Sequence, residues 1–217
     1  TCLWLAILGG VDDYCKLTQR GKRGLNKRSK LFWQILLGLF VGAFIYITQA
    51  DSPAVTQLDV PFVKDVIVDL GLGYILFVML IVVGTSNAVN LTDGLDGLAI
   101  GCVLMVSITL AILSYVTGHL NFSQYLFIPY VAGAGELAIF CAAIIGASLG
   151  FLWFNCYPAT IFMGDVGSLS LGGTLGVIAV LIKKELLLVI MGGIFVVEAL
   201  SVILQVFSFR VLGKRIF

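Results

Sequence analysis

Residues 87–99 read "NAVNLTDGLDGLA" and stand between two apolar runs, "GYILFVMLIVVG" at 73–84 and "IGCVLMVSITLAIL" at 100–113. Each flanking run belongs to a block approaching the roughly 20 residues a helix needs to cross a hydrocarbon core. The polar stretch therefore lies either at a membrane rim or within a polar interior, and the rest of the chain decides between them. Of 217 residues, 60% are hydrophobic and 12% charged, against about 25% charged in a soluble domain. Mean hydropathy is +1.10. The apolar runs are continuous rather than alternating, which excludes a β-barrel. Working outward from 87–99, the polar breaks predict an all-α polytopic membrane protein, a single domain over 1–217. Six complete spans are expected near 31–49, 70–86, 98–117, 136–156, 168–183 and 186–207, with the end of a seventh at 1–10.

Sidedness follows from the cations. Segment 11–30 holds seven Lys and Arg, and the tail adds Arg210, Lys214 and Arg215, so ten of thirteen fall in two segments separated by six spans. The positive-inside rule makes that side cytoplasmic, with Lys183 and Lys184 as a modest violation outside. Segments 87–97 and 157–167 are then also cytoplasmic. Segment 50–69 is external, and its Pro53 and Pro61 among alternating apolar residues predict a small hairpin or a short surface helix. The small residues of "SLSLGGTLGVIA" at 168–179 predict tight helix packing. The five cysteines, Cys2, Cys15, Cys102, Cys141 and Cys156, have no metal-ligand spacing and read as small packing residues in a reducing compartment. His119, the lone histidine, falls on the external side and is assigned no chemistry.

Sorting the twelve acids by side exposes a pattern. Asp12, Asp13, Asp93, Asp96 and Asp165 are all cytoplasmic, come from three connections, and abut span ends; only Glu198 falls within a span. An ion or proton pathway needs ionisable groups at depth, whereas five carboxylates at one face predict a shared interfacial site. The acid pair of "GGVDDYCKLTQRGKRGLNKRSK" precedes a dense run of cations that anchor the membrane face. Asp165 of "YPATIFMGDVGSLSLGG" stands just before an expected helix start near Ser168 and reads equally well as a helix cap. Asn87, Asn90, Asp93 and Asp96 recur every third residue, and Gly94 and Gly97 predict a helix break that frees backbone N–H groups. Carboxylates beside cations point to magnesium with phosphates, since Mg²⁺ takes oxygen ligands and Lys and Arg hold the remaining phosphate charge. No P-loop or dinucleotide fingerprint is present, so no soluble-type nucleotide fold is implied, and no nucleic-acid partner is expected.

Four motifs in order, "VDDYCK", "NAVNLTDGLDGLA", "FNCYPATIFMGDVGSLSLGG" and "VVEALSVILQ", resemble the phospho-N-acetylmuramoyl-pentapeptide transferase family, a branch of the polyprenyl-phosphate N-acetylhexosamine-1-phosphate transferase superfamily. The resemblance implies a ten-span, homodimeric protein of the bacterial inner membrane with a cytoplasmic site and a Mg²⁺ requirement. Its substrates would be UDP-MurNAc-pentapeptide and undecaprenyl phosphate, its products lipid I and UMP, and its role cell-wall synthesis. On the same resemblance Asp165 is the magnesium ligand, Asp12 and Asp13 are the catalytic acid pair with Asp12 the favoured base, and Asn90, Asp93 and Asp96 are polar residues of the central loop. Gly94, Leu95 and Asp96 would lie near uracil, with Asn155 and Phe162 as nucleoside contacts. Lys16, Arg20 and Arg28 would face phosphate, and Gln205 would lie near the nucleoside pocket. The family's first spans and its later histidine motif have no counterpart here, which reads as truncation and an inactive fragment. Direct attack by the lipid phosphate and a covalent aspartyl intermediate both remain open. So do a UDP-GlcNAc donor and, outside enzymes, an anion transporter, which would place polar residues at mid-membrane.

Overall fold

The computed structural model describes residues 1–18, 24–49, 56–59, 61 and 67–213. Helices α1 (Cys2–Thr18), α2 (Lys27–Thr48), α3 (Gly73–Thr92), α4 (Leu98–Thr117), α5 (Leu120–Tyr125), α6 (Glu136–Asn155), α7 (Gly164–Leu181), α8 (Glu185–Met191) and α9 (Gly193–Leu212) follow in order, with strands β1 (Gln57–Asp59) and β2 (Ile67–Asp69) between α2 and α3. Six of them, α2, α3, α4, α6, α7 and α9, are long and apolar enough to cross a membrane. The protein is an all-α polytopic membrane protein, as composition predicted.

Several boundaries differ from the hydropathy reading, three of them near the site or inside a span. Helix α3 continues six residues past 86, through Asn87 and Asn90 to Thr92, because those amides find partners on neighbouring helices. Helix α7 starts at Gly164, a turn before Ser168. The expected span 186–207 is broken into α8 and α9 at Gly192; two successive glycines weaken a helix that hydropathy alone reads as unbroken. The predicted external hairpin forms between β1 and β2, antiparallel with Gln57 opposite Asp69 and Leu58 opposite Val68.

Helix α7 is the axis of the bundle, packing on α1, α3 and α4. Its small residues permit this: a Cβ on Gly172 would run into the Thr85 carbonyl and the Val89 side chain of α3. Around it lie Val103, Leu110, Cys141, Ile178 and Ala179 on one side, Ile45, Leu58, Tyr74, Val78 and Val180 on another, and Leu5, Leu8, Leu37 and Leu169 on a third. The two ends of α7 therefore sit where the polar connections of several helices meet.

At the C-terminal end of α7 those connections form an ionic cluster. The Tyr74 hydroxyl donates to Glu185 Oε1 at 2.7 Å, Lys183 Nζ donates to the Tyr74 hydroxyl at 2.9 Å, and Lys184 Nζ bonds Asp59 Oδ2 at 2.5 Å. The two lysines that sidedness left on the wrong face are thus bound in ionic contacts; Lys184 is only 7% exposed. Burial pushes the Glu185 carboxyl up, against the pull of Tyr74 and the lysines, and pushes the Lys183 ammonium down against Glu185.

Candidate active site at the N-terminal end of α7

The acid pair is helical rather than in a loop, because α1 runs on to Thr18 beyond its apolar segment. Consecutive helical residues point about 100° apart, and the two acids accordingly do different things. Asp12 is buried at 4% exposure and accepts the Leu25 N–H at 2.6 Å, which pins the chain leading into α2. Asp13 faces α7 and accepts the Val166 N–H at 3.3 Å. Glycine at position 9 makes this possible, since any Cβ there would collide with the Asp165 backbone. Gly164 opens α7 at φ +64°, a left-handed conformation that favours glycine, and a Cβ there would meet the Asp13 carboxylate.

Asp165 occupies the first turn of α7 but does not cap it; the N-cap position is Met163, and no side chain caps it. Its carboxylate is instead the hub of the site. Oδ2 receives Lys30 Nζ at 2.6 Å and Lys16 Nζ at 2.8 Å, and Oδ1 receives the Asn90 amide at 2.7 Å. Asn90 also donates to Ser168 Oγ at 2.8 Å. Lys16 reaches Asp12 at 2.8 Å and Asp13 at 3.2 Å as well. Burial lowers the Lys16 ammonium, but its hydrogen bonds to Asp12, Asp165 and Asp13 raise it further, so it stands above its usual range. One oxygen from each of Asp12, Asp13 and Asp165 lies within 4.8 Å of the others. An all-oxygen donor set of this size suits a hard divalent cation, and Lys16, whose side chain is 47% exposed, has room to turn aside for one.

Beside this triad lies the connection from α3 to α4. Asp93 closes α3 and accepts the Gly164 N–H; burial first, then the charges of Asp165 and Asp13, hold its carboxyl above the usual range. Asp96 turns the other way and accepts the Ala159 N–H at 3.0 Å. Asn155 joins the same two connections, accepting the Gly97 N–H at 3.1 Å and donating to the Ile161 carbonyl at 2.7 Å. Leu95 and Phe162 project from them at 70% and 72% exposure; an exposed aromatic face suits stacking on a flat ring. Gly94 has open space around it.

The structure thus gathers Asp12, Asp13, Asp165, Lys16, Asn90 and Asp93 in one cluster and sets Asp96, Asn155, Leu95 and Phe162 beside it. Arg20 lies outside the described residues. Arg28 is exposed on the first turn of α2, while Lys30, two residues on, makes the contact to Asp165. Gln205 is half-buried on α9, and among the described residues no hydrogen bond ties it to the cluster. Nothing in the sequence alone distinguishes Lys30 from its neighbouring cations; the available signal for Ser168 is its placement one turn after Gly164 on the face of Asp165.

An apolar helical bundle whose polar connections converge on a carboxylate triad bracketed by lysines defines a polytopic membrane protein with an acidic site at one end of α7. The chain belongs to glycosyl transferase family 4, whose family model matches residues 1–183. It is 59% identical over 211 residues to the phospho-N-acetylmuramoyl-pentapeptide-transferase of Pelobacter propionicus, an alignment covering 97% of this chain and 58% of that relative. The chain therefore spans little more than half the length of the curated relative it matches.

Proposed function

We propose that the full protein containing this chain transfers phospho-MurNAc-pentapeptide from UDP-MurNAc-pentapeptide to undecaprenyl phosphate, giving lipid I and UMP, in the bacterial inner membrane with the site facing the cytoplasm. The observation that carries this is the convergence of Asp12, Asp13 and Asp165 with Lys16 and Lys30, in a chain so similar to a named transferase. The exposed apolar faces of α6 and α9 would meet lipid or, in a homodimer, a second copy.

In this reading an oxygen of undecaprenyl phosphate attacks the sugar-bearing phosphorus, the P–O bond to UMP breaks, and UMP leaves. Such a transfer is limited by charge repulsion and alignment, so the protein chiefly positions and neutralises. Mg²⁺, held by Asp165 with help from Asp13, would supply charge stabilisation on the pyrophosphate. Lys16 exchanges its carboxylates for phosphate oxygens. Asp13, the more open of the acid pair, is placed to take or orient the proton of the lipid phosphate; Asp12, the base favoured by resemblance, has Oδ1 on Leu25 and Oδ2 on Lys16 and serves to fix the start of α2. Phe162, Leu95 and Asn155 frame the uridine end, and Lys30 retains the Asp165 carboxylate.

The test is full-length protein in detergent with both substrates. Lipid-linked phosphosugar and UMP in equal amounts, dependent on Mg²⁺, are expected. Product with UDP-GlcNAc but not with UDP-MurNAc-pentapeptide would move the chain to the neighbouring branch. A phosphosugar trapped on an aspartate during turnover would sink direct attack.

A further inference from the structure

The first asparagine of "NAVNLTDGLDGLA" has no part in the chemistry above. Asn87 donates to its own helix at the Val83 carbonyl, 2.8 Å away, and to Gln34 Oε1 of α2 at 2.9 Å. Gln34 Nε2 in turn donates to Ser86 Oγ at 3.3 Å. Gln34 is 1% exposed and Ser86 fully buried, so this amide cluster sits in the apolar interior, where an unpaired amide is costly.

Its position gives it meaning. Lys30, Gln34, Gly38 and Gly42 recur every fourth residue, and such residues share one face of a helix. On that face the glycines press against α3, where a Cβ on Gly38 would strike Met79 and one on Gly42 would strike Ile75. Close backbone packing of this kind is tight but has no directional bond to set how far one helix slides along the other. Among the described residues Gln34 supplies the stripe's side-chain hydrogen bonds to α3, and one turn above it Lys30 reaches Asp165 Oδ2 of α7 at 2.6 Å. On α3 the same step leads from Ser86 and Asn87 to Asn90, which reaches Asp165 Oδ1 at 2.7 Å. A slip of a single residue shifts a helix by about 1.5 Å, enough to break either bond.

We propose that Gln34 is a positioning residue of the acidic site: clamped to Ser86 and Asn87, it sets the register of α2 on α3, so that Lys30 and Asn90 together hold both oxygens of Asp165. The proposal rests on the metal and phosphate reading only for its consequence, not for its geometry, and the two are tested separately. In full-length protein in detergent, acylation of Lys30 by an amine-reactive ester is followed by mass spectrometry. Lys30 is expected to be protected in the parent and to become several-fold more reactive in Gln34→Leu. The pair Gln34→Asn with Asn87→Gln, which exchanges the long and short amides, is expected to restore protection. Binding of Mn²⁺ without substrates, read by electron paramagnetic resonance, is expected to weaken about tenfold in Gln34→Leu, as for other residues that orient a metal ligand, and to recover in the exchanged pair. The double variant Gln34→Leu with Asn87→Leu, which leaves neither amide unpaired, is expected to regain thermal stability but not Lys30 protection. Unchanged Lys30 protection in Gln34→Leu, or a loss of stability that protection and Mn²⁺ affinity do not follow, would overturn the clamp. A parent that binds no Mn²⁺ while Gln34→Leu still exposes Lys30 would support the clamp and overturn the metal reading instead.

Discussion

The two ends of α7 carry ionic clusters built on opposite principles. At the Glu185 end the charges are shut away: Glu185 is 3% exposed, and burial outweighs attraction, raising the carboxyl and lowering the Lys183 ammonium. At the Asp165 end, Asp12, Asp13 and Asp165 share Lys16 and Lys30, leaving acid in excess. There attraction outweighs burial, and the Lys16 ammonium is raised. Among the described residues the Glu185 end pairs its acids and lysines evenly, whereas the Asp165 end keeps surplus acid and a half-exposed lysine, which on the proposed function are what a cation and phosphates would use.

Asp165→Asn in the full-length protein is expected to cut UMP release by about 10³-fold, roughly 4 kcal/mol of lost charge stabilisation, with little change in thermal stability; near-parental turnover with the same Mg²⁺ demand would remove Asp165 from the metal site. Glu185→Leu should do the reverse, costing about 3 kcal/mol of stability by removing the buried acid that Tyr74 and Lys183 contact while turnover per folded molecule holds. Adding Lys183→Met should recover part of that loss, since burial outweighs the attraction of Glu185 there; no recovery on chemical denaturation would mean the two charges are not coupled. Within the acidic end, Asp12→Asn should lower stability by about 1–3 kcal/mol through the Leu25 N–H and Lys16. Asp13→Asn should chiefly lower kcat, and equal stability losses in the two would erase their division of labour. The smallest effect is expected at Asp59, whose side chain is 38% exposed; Asp59→Asn keeps an amide oxygen for Lys184 and should cost about 1 kcal/mol.

Much of this was legible in the sequence. Helix α4 was read to the residue, because Gly97 and Gly118 bracket an unbroken apolar run, and the convergence of Asp12, Asp13 and Asp165 followed from counting spans. What escaped was whatever hydropathy cannot weigh. Asn87 and Asn90 counted as loop, yet they are helical because Gln34 and Asp165 receive them. Asp165 read equally as a cap, because only tertiary structure brings Lys16 and Lys30 to it. Lys30 was one cation among seven in segment 11–30; its distinction is that α2 begins at Lys27 and turns it inward, above Gln34. The Gly192 break was hidden among apolar neighbours.

On the proposed function the Asp165 end of α7, and not the Glu185 end, holds a divalent cation. Titrating full-length protein with Mn²⁺ tests it most directly, comparing the parent, Asp165→Asn and Glu185→Gln under identical conditions. Loss of the bound ion in Asp165→Asn with parental affinity in Glu185→Gln is the predicted result; parental affinity in Asp165→Asn would contradict the account.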